Sequence, residues 1–120
     1  MHAELIRTFR FEAAHRLDGA PAGHKCRRLH GHNYRVDVHV AGEVDGEAGW
    51  VMDFGEIDAA VRPVIDRLDH RCLNDIDGLE RATSEVLAGW LWEQIAPRLP
   101  GLVAVTVWES DTARCIYRGP

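Results

Sequence analysis

The 120-residue chain has no C-x-x-C motif and only three cysteines, Cys26, Cys72 and Cys115, at irregular spacing. An odd, unpatterned set argues against a disulfide framework and suits a reducing cytosol. No apolar run approaches the length needed to cross a bilayer. The opening MHAELIRTFRF alternates in type and lacks the continuous apolar stretch of a signal peptide. The chain is therefore expected to stay in the cytoplasm, with no membrane partner. An excess of positive charge is also missing. Fourteen Lys and Arg against nineteen Asp and Glu leave a formal net charge of −5, which speaks against a nucleic-acid partner. Repeats, low-complexity tracts and linkers are absent. What is present is the balance of an ordinary globular domain, 46% hydrophobic and 28% charged. One domain over 1–120 is long enough to bury a core. A local basic cluster, Arg16, Lys25, Arg27 and Arg28, leaves room for an anionic small molecule.

The hydrophobic period divides the chain. Leu5 to His15 alternates, with Leu5, Phe9, Phe11, Ala13 and His15 on one face, which is strand period. Gly19, Pro21 and Gly23 mark a loop. A second strand is expected from about His30 to Glu43, with Tyr34, Val36, Val38 and Val40 as its apolar row. Between Asp53 and Leu68 the period becomes helical, with Asp53 and Glu56 placed for a capping box and Pro63 placed to bend or weaken the middle. A second helix should start at Thr83 and bury Val86, Leu87, Trp90, Leu91 and Ile95. Two strands, about Leu102–Glu109 and Ala113–Arg118, close the chain. The expected class is α+β: a four-stranded antiparallel sheet with two helices on one face. Its open edges invite pairing between copies.

The positions that carry chemistry are polar residues in apolar rows. His30 and His32 fall on one face of a strand, and His15 ends the buried row of the first. If the two strands pair, three imidazoles converge. That set suits Zn2+ and leaves a coordination position open. Cys26 stands four residues before His30 among Lys25, Arg27 and Arg28, cations that favour a thiolate. It is either a fourth ligand, closing a structural site, or a base or nucleophile beside the metal. Cys72 and Cys115 read as inert. Glu109 continues the row of Val103, Val105 and Val107, so it needs either an internal Arg or the N–H pair of a ligand. Asp69-His70 is a candidate carboxylate–imidazole pair for proton transfer. Of the four tryptophans, Trp50, Trp90, Trp92 and Trp108, most read as core or subunit contact rather than ligand stacking.

In order along the chain, FEAAHRL, HKCRRLHGHNY, WVMDF, RLDHRCLND, ATSEVLA and a strand ending in Glu109 resemble the 6-pyruvoyl-tetrahydropterin synthase family. The three residues between Cys26 and His-Gly-His resemble the bacterial branch that makes 6-carboxy-5,6,7,8-tetrahydropterin for queuosine. The resemblance implies a T-fold (tunnelling fold), with trimers closing into barrels and pairing as a homohexamer. It implies zinc on His15, His30 and His32, Cys26 as catalytic thiol, and Asp69 and His70 as its relay, supplied across a subunit interface. Glu109 would anchor the pterin ring of a 7,8-dihydroneopterin triphosphate substrate. Arg81-Ala82 stands where the family more usually has Asn-Pro. The competing readings are a synthase that stops at the pyruvoyl product and a non-catalytic, zinc-stabilised binding module.

Overall fold

A computed structural model describes residues 1–120. Two 14-residue strands, β1 (His2–His15) and β2 (His30–Glu43), pair antiparallel along their whole length. Their register follows from burial. Phe9 faces Val36, Phe11 faces Tyr34, Ala13 faces His32 and His15 faces His30, so both apolar rows lie on the same side. A slip of one residue would put the two rows on opposite faces and turn one of them to solvent. The histidines at the strand ends are therefore brought together by the hydrophobic pattern ahead of them.

Helix α1 (Phe54–Asp66) begins at Asp53, whose carboxylate accepts the Gly55 N–H at 3.0 Å. The expected return bond from Glu56 does not form; only its own N–H reaches back, to the Asp53 carbonyl. The helix runs through Pro63, held by Ile57, Val61, Val64 and Ile65, all in the core. Helix α2 (Ser84–Ile95) is capped by Thr83, which accepts the Val86 N–H. Its buried stripe is Leu87, Ala88, Trp90, Leu91 and Ile95. Val86, expected in that stripe, is exposed. In the first turn the stripe points one residue further on, toward β4 (Leu102–Ser110) and β5 (Ala113–Tyr117).

The sheet has five strands rather than four, in the order β3-β1-β2-β4-β5. The extra one, β3 (Arg71–Cys72), is too short to show a period, and it runs parallel to β1 beside Ala13 and Ala14. The sheet is thus not wholly antiparallel. Because β3 covers only the end of β1, the rest of that edge and the outer edge of β5 are unpaired. Trp50–Met52 forms no strand, although Val51 and Met52 pack on the core. The tryptophans divide. Trp90 is buried, Trp92 packs against the core, Trp50 is exposed, and Trp108 lies between the Arg35 and Arg114 guanidiniums.

Candidate metal centre and active site

His15, His30, His32 and Glu109 each offer a donor atom, and the four atoms lie within 4.8 Å of one another. The neighbouring carbonyls decide which imidazole nitrogen is offered. His15 Nδ1 sits 2.6 Å from the Ala82 carbonyl, and His30 Nδ1 sits 2.7 Å from the Arg28 carbonyl. A carbonyl can only accept, so each Nδ1 carries a proton and each ring, when neutral, turns its Nε2 lone pair inward. The two Nε2 atoms then face each other at 3.0 Å. Two lone pairs at that distance repel unless a proton or cation lies between them. His32 Nε2 is buried and makes no hydrogen bond. Glu109 Oε1 stands 3.1 Å away, out of line for one. Burial, reinforced by His15 and His30, holds His32 below the ordinary histidine range against the pull of Glu109. Three imidazoles with ring nitrogens turned inward and a carboxylate beside them fit a bound divalent cation such as zinc.

Two further side chains support this set. The Tyr34 hydroxyl lies 3.2 Å from His15 Nδ1, and burial keeps its phenol protonated far above the usual range. Asn74 is buried: its Oδ1 accepts the Arg16 N–H, and its Nδ2 donates to the Arg16 and Glu80 carbonyls. It thereby ties the residue after His15 to the segment that carries the Ala82 carbonyl. The sequence offered no signal for Asn74, since a polar residue beside Leu73 is ordinary until it is seen to be buried.

Glu109 owes its position to a β-bulge. Trp108 pairs with Arg114 and Ser110 with Ala113, so Glu109 has no partner of its own in β5. Its Oε1 lies 3.3 Å from His15 Nε2, and its Oε2 accepts a long bond of 3.4 Å from Ser84 Oγ at the first residue of α2. A helix N-terminus is a favourable place for a carboxylate. Neither an internal Arg nor a Lys pairs with it. No local pattern links Glu109 to Ser84, because the two residues lie on different elements.

Cys26 sits in a short 3-10 turn, Lys25–Arg27, capped by His24. It borders a cavity of about 390 Å³ together with Lys25, His30, His32 and Glu109, but it is not among the four clustered donors. The basic segment divides its work. The Arg27 guanidinium donates to the Asp18 and Ala20 carbonyls, at 2.7 Å each, and braces the loop. Lys25 borders the cavity.

Asp69 and His70 form the expected pair, with His70 Nδ1 2.9 Å from Asp69 Oδ1. The Glu12 amide, with help from His70, holds the Asp69 carboxyl below the usual range. Within one chain the pair does not border the Cys26 cavity. His70 lines two others, of about 490 and 530 Å³, and His32 borders the second.

Known proteins share this arrangement of chain and sheet. The 6-pyruvoyl tetrahydropterin synthase family model matches residues 4–120. A 6-carboxy-5,6,7,8-tetrahydropterin synthase of Synechocystis is 41% identical, covering 97% of this chain and 93% of the relative. A dihydroneopterin monophosphate aldolase of Pyrococcus furiosus is 37% identical, covering 92% and 93%. The solved 6-pyruvoyl tetrahydropterin synthase of Caenorhabditis elegans superimposes with a TM-score of 0.92 at 29% identity, covering 100% of this chain and 97% of that one. The expected T-fold is thus the fold of this chain. With sequence and backbone matching from end to end, the chain belongs to the 6-pyruvoyl tetrahydropterin synthase family.

Proposed function

We propose that the chain is a cytoplasmic, zinc-dependent 6-carboxy-5,6,7,8-tetrahydropterin synthase of queuosine biosynthesis. It converts 7,8-dihydroneopterin triphosphate to 6-carboxy-5,6,7,8-tetrahydropterin, acetaldehyde and triphosphate. The observation that carries this reading is the cavity on which Cys26 and Glu109 meet two of three inward-facing histidines. The 41% identity to a synthase of that name supports it. His15, His30 and His32 hold the metal, which, when bound, supplies positive charge that acidifies hydroxyl groups of the substrate side chain. Glu109 accepts two N–H groups from the guanidine-like edge of the pterin, and the Ser84 hydroxyl orients its second oxygen. Cys26 removes or returns a proton at the side-chain carbon next to the ring, and His70, oriented by Asp69, moves the other.

Since Asp69 and His70 lie off the Cys26 cavity in one chain, the working site takes its relay from a second copy. The unpaired edges of β1 and β5 are where copies join into trimers, and two trimers make the homohexamer. A second reading, an aldolase acting on a dihydroneopterin monophosphate, has support from the 37% identical relative.

Mass spectrometry of the products formed by the zinc-loaded protein decides. Carboxytetrahydropterin and acetaldehyde from the triphosphate substrate are expected. A pyruvoyl product alone moves the chain to the other synthase branch. Turnover of the monophosphate in preference to the triphosphate favours the aldolase. No turnover with zinc bound returns it to a binding module.

A further inference from the structure

Glu12 is exposed on β1, between buried Phe11 and Ala13, on the sheet face away from the helices. Three contacts join it to the Asp69–His70 pair. Its carbonyl accepts the His70 N–H at 2.6 Å. Its amide donates to Asp69 Oδ1 at 3.0 Å. Its carboxylate Oε2 lies 3.5 Å from His70 Nε2, while Asp69 Oδ1 takes the opposite ring nitrogen at 2.9 Å. Both N–H groups of a His70 imidazolium therefore have a carboxylate acceptor nearby.

His70 is the one non-glycine residue with positive φ, at 60°. That left-handed conformation is costly for a residue with a Cβ and persists only where the surroundings over-determine it. Here they do: the bond to the Glu12 carbonyl fixes His70 itself, and β3 fixes the next two residues against Ala13 and Ala14. An exposed ion pair alone would orient a ring weakly. The backbone bonds supply the rigidity, and the carboxylate is left to act on Nε2. Glu12 and His70 together border both large cavities of this face.

We propose that Glu12 is a positioning residue that works through His70, holding the ring so that Nε2 presents its proton to the substrate. On arrival a substrate atom takes the place of Glu12 at Nε2. The Nε2–H bond breaks, a bond from that proton to the substrate forms, and the neutral ring keeps Nδ1–H on Asp69. The inference rests on Asp69 and His70 being the proton-transfer pair of the proposed reaction.

The test is a double-mutant cycle of Glu12→Gln and His70→Asn in the zinc-loaded enzyme with 7,8-dihydroneopterin triphosphate, alongside Glu12→Asp. Glu12→Gln keeps both backbone bonds. It should lower kcat about tenfold with KM within about twofold, while Glu12→Asp recovers part of the loss. The doubly substituted enzyme should be no slower than His70→Asn alone, because both changes act through one ring. The nitrogen-15 resonances of His70 should change mainly at Nε2 in Glu12→Gln, with zinc content and melting temperature unchanged. Multiplicative losses in the cycle would overturn the inference, as would wild-type kcat in Glu12→Gln beside an impaired His70→Asn. A fall in melting temperature with kcat and KM both altered would make Glu12 merely structural. An unmodified enzyme that does not turn over the substrate at all overturns the proposed function itself.

Discussion

Replacing Cys26 by alanine should leave the metal in place and remove the turnover. The structural cost is small for identifiable reasons. The Cys26 N–H bonds His24 Nδ1 at 3.1 Å, and its carbonyl accepts the Leu17 N–H at 2.7 Å. Both are main-chain groups that alanine keeps, so the 3-10 turn persists. The thiol is only half-buried, and removing it should cost less than about 1 kcal/mol. The four clustered donors do not include its sulfur, so zinc content measured by plasma mass spectrometry should stay at the wild-type level. A positioned proton-transfer group contributes about 10²–10⁴ in rate, which is roughly 2.7–5.4 kcal/mol of transition-state stabilisation. Formation of carboxytetrahydropterin should fall by that factor. Retained zinc with retained turnover would remove Cys26 from the chemistry. Loss of zinc would make it a ligand, and the site would then be a closed one.

Other perturbations probe the surroundings. Ser84→Ala removes the long hydroxyl contact to Glu109 Oε2 and should raise KM for the pterin about two- to fivefold in steady-state kinetics, leaving kcat near its original value. Asn74→Ala leaves three main-chain groups without their partner and should cost about 2–3 kcal/mol in urea denaturation, with weaker zinc binding as His15 loosens. Zinc at about 100 times its dissociation constant should stabilise the fold by about 2.7 kcal/mol in calorimetry. Chelation should then lower the melting temperature while the far-ultraviolet dichroism stays native; unfolding on chelation would mark a structural site. Arg7 holds Asp58 below its ordinary value through a paired side-chain bond. A depressed carboxyl stabilises the fold above its unfolded value of 3.8 and loses that contribution as pH falls through the lower folded value. Asp58→Asn should therefore cost little at pH 7, since the pair is solvent-screened, with the difference shrinking as pH falls below 3.8 and gone once it passes the folded value. An undiminished difference in acid would contradict the assignment.

The long strands were legible in the residues, because alternation over Phe9 to His15 and Tyr34 to Val40 admits one buried face and only those registers that keep both rows on it. The three histidines converge on condition that the two strands pair, and the fold supplies that pairing, with His15 facing His30 and Ala13 facing His32. The N-caps at Asp53 and Thr83 were equally local, each a side chain reaching a backbone N–H two or three residues on. The remaining features depend on contacts between distant segments, for which no period exists. Strand β3 is two residues long and is defined wholly by its neighbour β1. The bulge that frees Glu109 arises from a mismatch between β4 and β5. The tautomers of His15 and His30 are set by the carbonyls of Ala82 and Arg28, one of them 67 residues away in the chain. The contacts of Glu12 with His70 join residues whose side chains carry no hydrophobic signal in either segment. Apolar periodicity encodes which face is buried. The partner of a polar group is fixed only once the folded chain brings donor and acceptor within about 3 Å.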